Sequence, residues 1–122
     1  MTLQSLIRTL GEVKVVDCRG RIVLGDETAE LRLLVKDLLQ PSARLVLNLT
    51  NVNHIDSNGI GMLVGLHVAA KNVGAVIKLA GLVDHVKSVM ETTRLITIFE
   101  AYNTVEEAVA SFAPPLREAK AV

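Results

Sequence analysis

The chain has 122 residues, half of them apolar and only 2% aromatic, which suits one domain with an aliphatic core of Leu, Val, Ile and Ala. Thirteen basic and thirteen acidic residues cancel, which argues against a nucleic-acid binder, since that needs basic excess to meet phosphate. A single cysteine, Cys18, excludes an internal disulfide and fits a reducing compartment. No basic-then-apolar leader opens the chain, and no run of about 18 uncharged apolar residues could span a bilayer. A soluble, cytoplasmic domain is expected.

The first elements read as a hairpin. Leu6 to Leu10 and the β-rich run Val13 to Cys18 flank Gly11-Glu12, although Leu3, Leu6, Ile7 and Leu10 also match helical spacing. Gly20 breaks or bulges the second run, Arg21 to Leu24 continues it, and Gly25 ends it. Asp26 is placed to cap a helix whose apolar stripe is Leu31, Leu34, Val35 and Leu38, closed by Pro41. In the run Arg44 to Thr50, Leu45, Leu47 and Leu49 alternate and Val46 is apolar on the other face, as in a central strand.

After a loop, a second helix is predicted from Ser57 to Asn72, then a strand from Ala75 to Ala80 and a third helix from Asp84 to Thr93 with Val86, Val89 and Met90 inward. Ile96 to Glu100 reads as a last strand. Thr104 with Glu107 forms a capping box for a final helix that turns Val105, Ala108, Val109 and Phe112 to the core. Pro114-Pro115 stops the domain, leaving residues 114–122 as a loose tail. Strands first, then alternating helix and strand, predict an α/β domain over residues 1–113: a small mixed sheet with about four helices packed on it.

The stretch His54-Ile55-Asp56-Ser57-Asn58-Gly59-Ile60-Gly61-Met62-Leu63-Val64-Gly65 lies between a strand and a helix, where open α/β sheets carry functional loops. A serine hydrolase would place glycine where Ile55 stands. A dinucleotide site is resembled loosely by Gly59-x-Gly61-x-x-x-Gly65, but the acid expected about 20 residues on is missing. No Gly-Lys-Ser/Thr loop exists. His54, His67 and His85 are not in metal spacing, so no metal or cofactor is assigned. No catalytic residues are named, and the chain is not read as an enzyme. Cys18, in a strand, reads as a small buried hydrophobe.

Ser57, taken alone, is a helix N-cap. Two features point further. Gly59 and Gly61 occupy the opening turn of a helix, where each costs about 1 kcal/mol relative to Ala. Ser57 to Ala70 also carries no charged residue. One face of that helix, Ile60, Leu63, Val64 and Leu66 to Ala70, can serve the core. The opposite one, Asn58, Gly61, Met62, Gly65 and Ala69, is expected to be uncharged and suited to a partner. A phosphate on Ser57 would sit at the positive helix end and add roughly −1.5 to −2 charges to a neutral surface, with Asp56 opposing it.

Asp56-Ser57-Asn58-Gly59-Ile60-Gly61 resembles the D-S-x-G-[LI]-G motif of the STAS domain family. The strand Leu45 to Leu49, the segment Val86 to Met90, then Leu95 to Glu100 and Val105 to Ala108 are similar to the family in the same order, so that about residues 5 to 113 are covered. The resemblance implies a STAS-like α/β fold and, in its anti-sigma factor antagonist branch, a regulator of transcription. The Ser at position 57 would be phosphorylated by an anti-sigma factor that is also a serine kinase. The unphosphorylated domain would bind that kinase, and a serine phosphatase would reset the switch. Asp56, Ser57, Asn58, Gly59, Gly61, Met62 and Gly65 are the partner-binding residues so implied, with no direct contact to nucleic acid or membrane. Alternatives are a non-switching STAS subunit of a stressosome or lipid-transport assembly and, from another class, a small nucleotide-binding protein. Asn58 departs from the family's second Ser or Ala. Arg21 to Leu24 also departs, where many antagonists carry an acid soon after the glycine matching Gly20. Thr92 and Thr93 are possible secondary phosphosites, with a polar helix end as the plainer reading.

Overall fold

The two apolar runs at the start of the chain close into the expected hairpin. In the computed structural model, which describes residues 3–112, β1 (Leu3–Leu10) pairs antiparallel with β2 (Val13–Ile22) from Leu3↔Gly20 to Leu10↔Val13. The expected Pro114-Pro115 stop and tail lie outside the described residues. There follow α1 (Asp26–Leu38), β3 (Arg44–Ile55), α2 (Ser57–Val73), β4 (Val76–Ala80), α3 (Asp84–Thr92), β5 (Ala101–Tyr102) and α4 (Val105–Ala110). The strands lie in the order β1-β2-β3-β4-β5, antiparallel at β1 and parallel across the rest. Among the described residues the fold is therefore the small mixed sheet with four α-helices that the alternation predicts.

The sequential order explains the layering. Each crossover from β2 to β5 moves the same way across the sheet, and crossovers of one hand then place their helices on one face. Accordingly Leu31 and Val35 of α1, Met62, Leu63 and Leu66 of α2, and Val86 and Met90 of α3 share one core with Val16, Cys18, Leu45, Leu47 and Leu49. The other face carries a smaller core, in which Val13, Val15, Val46 and Ala80 meet Val105 and Ala108 of α4. The alternation along β3 thus divides between two cores.

Lys78, only 6% exposed, fastens α4 to the sheet. Its Nζ donates to Ser111 Oγ at 2.9 Å and Ser111 O at 3.3 Å, pairs with Glu100 at 3.3 Å, and lies 4.3 Å from the centre of the Phe112 ring. A buried ammonium is tolerable only with such a set of partners.

Five expectations need correction. The cap of α1 is Gly25, not Asp26, which stands in the first turn, where its charge favours the helix end without a capping hydrogen bond. β3 does not stop at Thr50. After a register shift at Asp17/Arg19 it keeps pairing with β2 through Val52 and Ile55, because both bury their side chains in the larger core. What reads as a loop is strand. Ile96 to Glu100 is not a strand. Leu95–Thr97 is a 3₁₀ turn and only Ala101–Tyr102 pairs with β4. Leu95 and Phe99 are the buried pair of that segment, at helical spacing, while Thr97 and Ile98 face outward. The last two corrections, to the cap and to the faces of α2, are given with the site.

Gly81 joins β4 to the following loop with φ +74°, and a Cβ there would run into Thr50 Oγ1 and lie 3.0 Å from Thr50 Cβ. Left-handed strain and overpacking add, so Gly81→Ala is expected to lower unfolding free energy by roughly 2–4 kcal/mol in a urea titration.

Candidate functional site

The junction between β3 and α2 is built around one carboxylate. Asp56, not Ser57, is the N-cap of α2, with Oδ1 accepting from the Gly59 N–H at 2.9 Å. Its Oδ2 accepts from the Leu24 N–H at 3.0 Å, and its own N–H donates to Ile22 O at 3.3 Å. Asp56 thereby ties the start of α2 to the end of β2. A short oxygen-bearing side chain in extended conformation is what this position requires, and Asp supplies it.

These hydrogen bonds, from Leu24 first and Gly59 second, hold the Asp56 carboxyl below its usual 3.8. A carboxyl depressed in the folded state stabilises above its unfolded value and loses that contribution as pH falls through 3.8 and below. Asn can cap but carries no charge. The stability gap between wild type and Asp56→Asn, read from urea midpoints, is therefore expected to narrow between neutral pH and pH about 3.

Ser57 is then the first residue of α2. It is exposed, and among the described residues no hydrogen bond engages its hydroxyl. Asn58, Gly61 and Gly65 are exposed on the same helix. Gly59 and Met62 are not part of that surface, contrary to expectation. Met62 is 7% exposed and belongs to the larger core. Gly59 is buried where α2 meets the sheet, and a Cβ on it would strike the Ile22 carbonyl oxygen and lie 2.8 Å from Ile55 Cγ1. Val68, expected inside, is 51% exposed. The opening turn needs glycine for contact with its own sheet at position 59, whereas a Cβ at Gly61 or Gly65 would meet nothing within 4 Å.

Two features carried no signal in the sequence. Leu24, 75% exposed, stands beside the junction because its N–H is bound to Asp56. His54 lies on β3, and its ring stacks on His85 of α3 with centroids 4.8 Å apart and planes at 7°. Parallel rings cannot both direct in-plane lone pairs at one ion, and no group of three or more potential metal ligands occurs among the described residues. Cys18 is buried, and burial first, with Asp17 second, pushes its thiol up to about 12, far from a nucleophile's range. Thr93 donates to the Val89 carbonyl at 2.8 Å, while Thr92 is exposed at the end of α3. None of the helices among the described residues is long and apolar enough to cross a membrane.

The junction thus joins a mixed five-stranded sheet, with three helices on one face, to an aspartate-capped helix that carries an exposed serine in its first turn. The STAS domain model matches residues 4–108, and the chain belongs to that family. Among solved structures it is similar to an anti-sigma-factor antagonist (STAS) domain protein from Planctomyces limnophilus, at 19% identity over 90% of this chain and 98% of that one, TM-score 0.77. It is also similar to an anti-sigma factor antagonist from Mycobacterium paratuberculosis, at 23% identity over 89% and 92%, TM-score 0.72. A third is the Bacillus cell fate determinant SpoIIAA in its phosphorylated form, at 16% identity over 90% and 100%, TM-score 0.68. At such identities the likeness shows the fold.

Proposed function

We propose that this chain is an anti-sigma factor antagonist, with Ser57 as the residue that switches it. In the unphosphorylated state it binds a cognate anti-sigma factor carrying serine kinase activity. Phosphorylation of Ser57 ends that binding, and a serine phosphatase restores it. The observation that carries the reading is the exposed Ser57 hydroxyl, which no hydrogen bond engages among the described residues, on a helix start whose backbone the Asp56 cap holds.

The domain acts as ligand and substrate rather than catalyst. Each Asp56 oxygen accepts a backbone N–H, which holds the carboxyl below its usual pKa and makes it a weak base. The kinase must supply the phosphoryl donor and the residue that takes the Ser57 proton. Docking would use Asp56, Ser57, Asn58, Gly61 and Gly65, with Leu24 beside them. The site of action is the cytoplasm, where sigma factors work.

Capture of the cognate kinase by immobilised wild type, Ser57→Ala and Ser57→Asp tests the proposal. Retention by the first two and loss with the third is the expected pattern. Equal capture by all three would point instead to a STAS subunit that docks without a switch.

A further inference from the structure

We propose that β1 is a self-pairing edge through which two copies of this chain join antiparallel about Leu6, merging their sheets into one. β1 is an edge strand of eight residues, paired with β2 along its whole length without a register shift. Edge strands of this length are normally guarded by Pro, Lys or a bulge. LQSLIRTL has no Pro and no Lys. Its one charge, Arg8, is turned onto Asp17 of the neighbouring strand at 2.7 Å. Leu6, at mid-strand, is 68% exposed. The opposite edge strand, β5, has only two residues.

The backbone fixes which groups are open. Leu3 donates its N–H to Glu27 Oε1 at 3.1 Å rather than to β2. By alternation along the strand, Ser5, Ile7 and Thr9 also present their backbone groups outward. A two-fold axis at Leu6 pairs Ser5 of each copy with Ile7 of the other and sets Thr9 opposite Leu3, whose N–H stays with Glu27, so the ladder is confined to Ser5 and Ile7. The axis sets Leu6 directly against Leu6, burying the exposed side chain of each.

Charge narrows the register. An axis at Leu6 keeps the two Arg8 side chains about four residues apart along the seam, each opposite the uncharged Gln4 of the other copy, whose neighbour on β2 is Arg19. An axis at Ile7 would instead bring the two Arg8 side chains to diagonal positions, about 7–8 Å apart. Strand pairing alone buries less than a standard interface, so a weak, concentration-dependent dimer is expected, with a dissociation constant on the order of 10–100 µM.

Sedimentation equilibrium of the full chain over a concentration series tests this, with oxidative trapping to fix the register. Wild type should move from monomer to dimer as concentration rises, and Leu6→Lys should stay monomeric with an unchanged thermal midpoint. Leu6→Cys should cross-link to a disulfide dimer. Thr9→Cys should not, because its two copies would lie about 20 Å apart. Cys18, buried, is silent in both variants. A wild type that stays monomeric throughout, as it would if this edge served an extended peptide of another protein, overturns the proposal. So does a dimer that survives Leu6→Lys, or equal cross-linking of both cysteine variants.

Discussion

Placing a phosphate on Ser57, or Asp as its mimic, is expected to weaken binding of the cognate kinase by about 100-fold or more, near 2.7 kcal/mol, while leaving the fold in place. The phosphate brings roughly −1.5 to −2 charges to a helix face that has none, and an interface closing over it would have to desolvate them. Asp56, whose N–H partners hold its pKa below the usual 3.8, is ionised at neutral pH and adds like-charge repulsion.

Stability should hardly respond. No hydrogen bond to the Ser57 hydroxyl is lost among the described residues. The helix end favours an anion by about 0.3–1 kcal/mol, which offsets part of the repulsion from Asp56. A change in thermal midpoint below about 5 °C is therefore expected by calorimetry. Titration calorimetry of wild type, Ser57→Ala and phosphorylated domain against the kinase reads the affinities. Loss of binding accompanied by a fall in midpoint of more than about 10 °C would mean structural damage rather than a switch.

Gly59→Ala is expected to be the most damaging small substitution in the site. Its Cβ would meet the Ile22 carbonyl oxygen, with Ile55 Cγ1 at 2.8 Å and Ile22 Cγ2 at 2.9 Å. The first obstacle is backbone, so the start of α2 has to retreat from the end of β2. That motion pulls the Gly59 N–H from Asp56 and strains the Leu24 bond on the same carboxylate. Overpacking of about 1–3 kcal/mol and a lost cap of about 1 kcal/mol sum to a loss of roughly 2–4 kcal/mol.

Gly61→Ala and Gly65→Ala should behave oppositely. A Cβ meets nothing within 4 Å at either position, and each replacement should raise stability by about 0.5–1 kcal/mol through helix propensity. Urea titration of the three variants checks the contrast. Equal destabilisation at all three would show that the helix does not rest on Ile22 as described. Kinase affinity measured on the Gly61 and Gly65 variants would show whether those open positions lie in the docking contact.

The division between local and tertiary information runs through individual residues. The alternation of Leu45, Leu47 and Leu49 and the stripe Leu31, Leu34, Val35 and Leu38 are legible because a side chain's direction follows from its position along a strand or helix once a wet face is marked by charge. The Asp-Ser-Asn-Gly junction was legible as chemistry, and its serine does stand exposed at a strand-to-helix boundary.

The faces of α2 were not legible. A helix without charged residues from Ser57 to Ala70 marks no wet side, so only packing against α1 and the sheet turned Gly59 and Met62 in and Val68 out. Asn51 to Ile55 looked like a loop because polar residues prevail. Pairing with β2, and the burial of Val52 and Ile55, made it strand. Ile96 to Glu100 had the composition of a strand, but Leu95 and Phe99 found burial at helical spacing, and the remaining pairing with β4 was left to Ala101 and Tyr102.

The sequence by itself determined the class of fold, the order of most elements and the place of the serine, because periodicity, caps and turns act over a few residues. Which side of α2 faces outward, which residue caps it and which strands lie at the edges of the sheet were settled by packing, because each depends on groups distant along the chain.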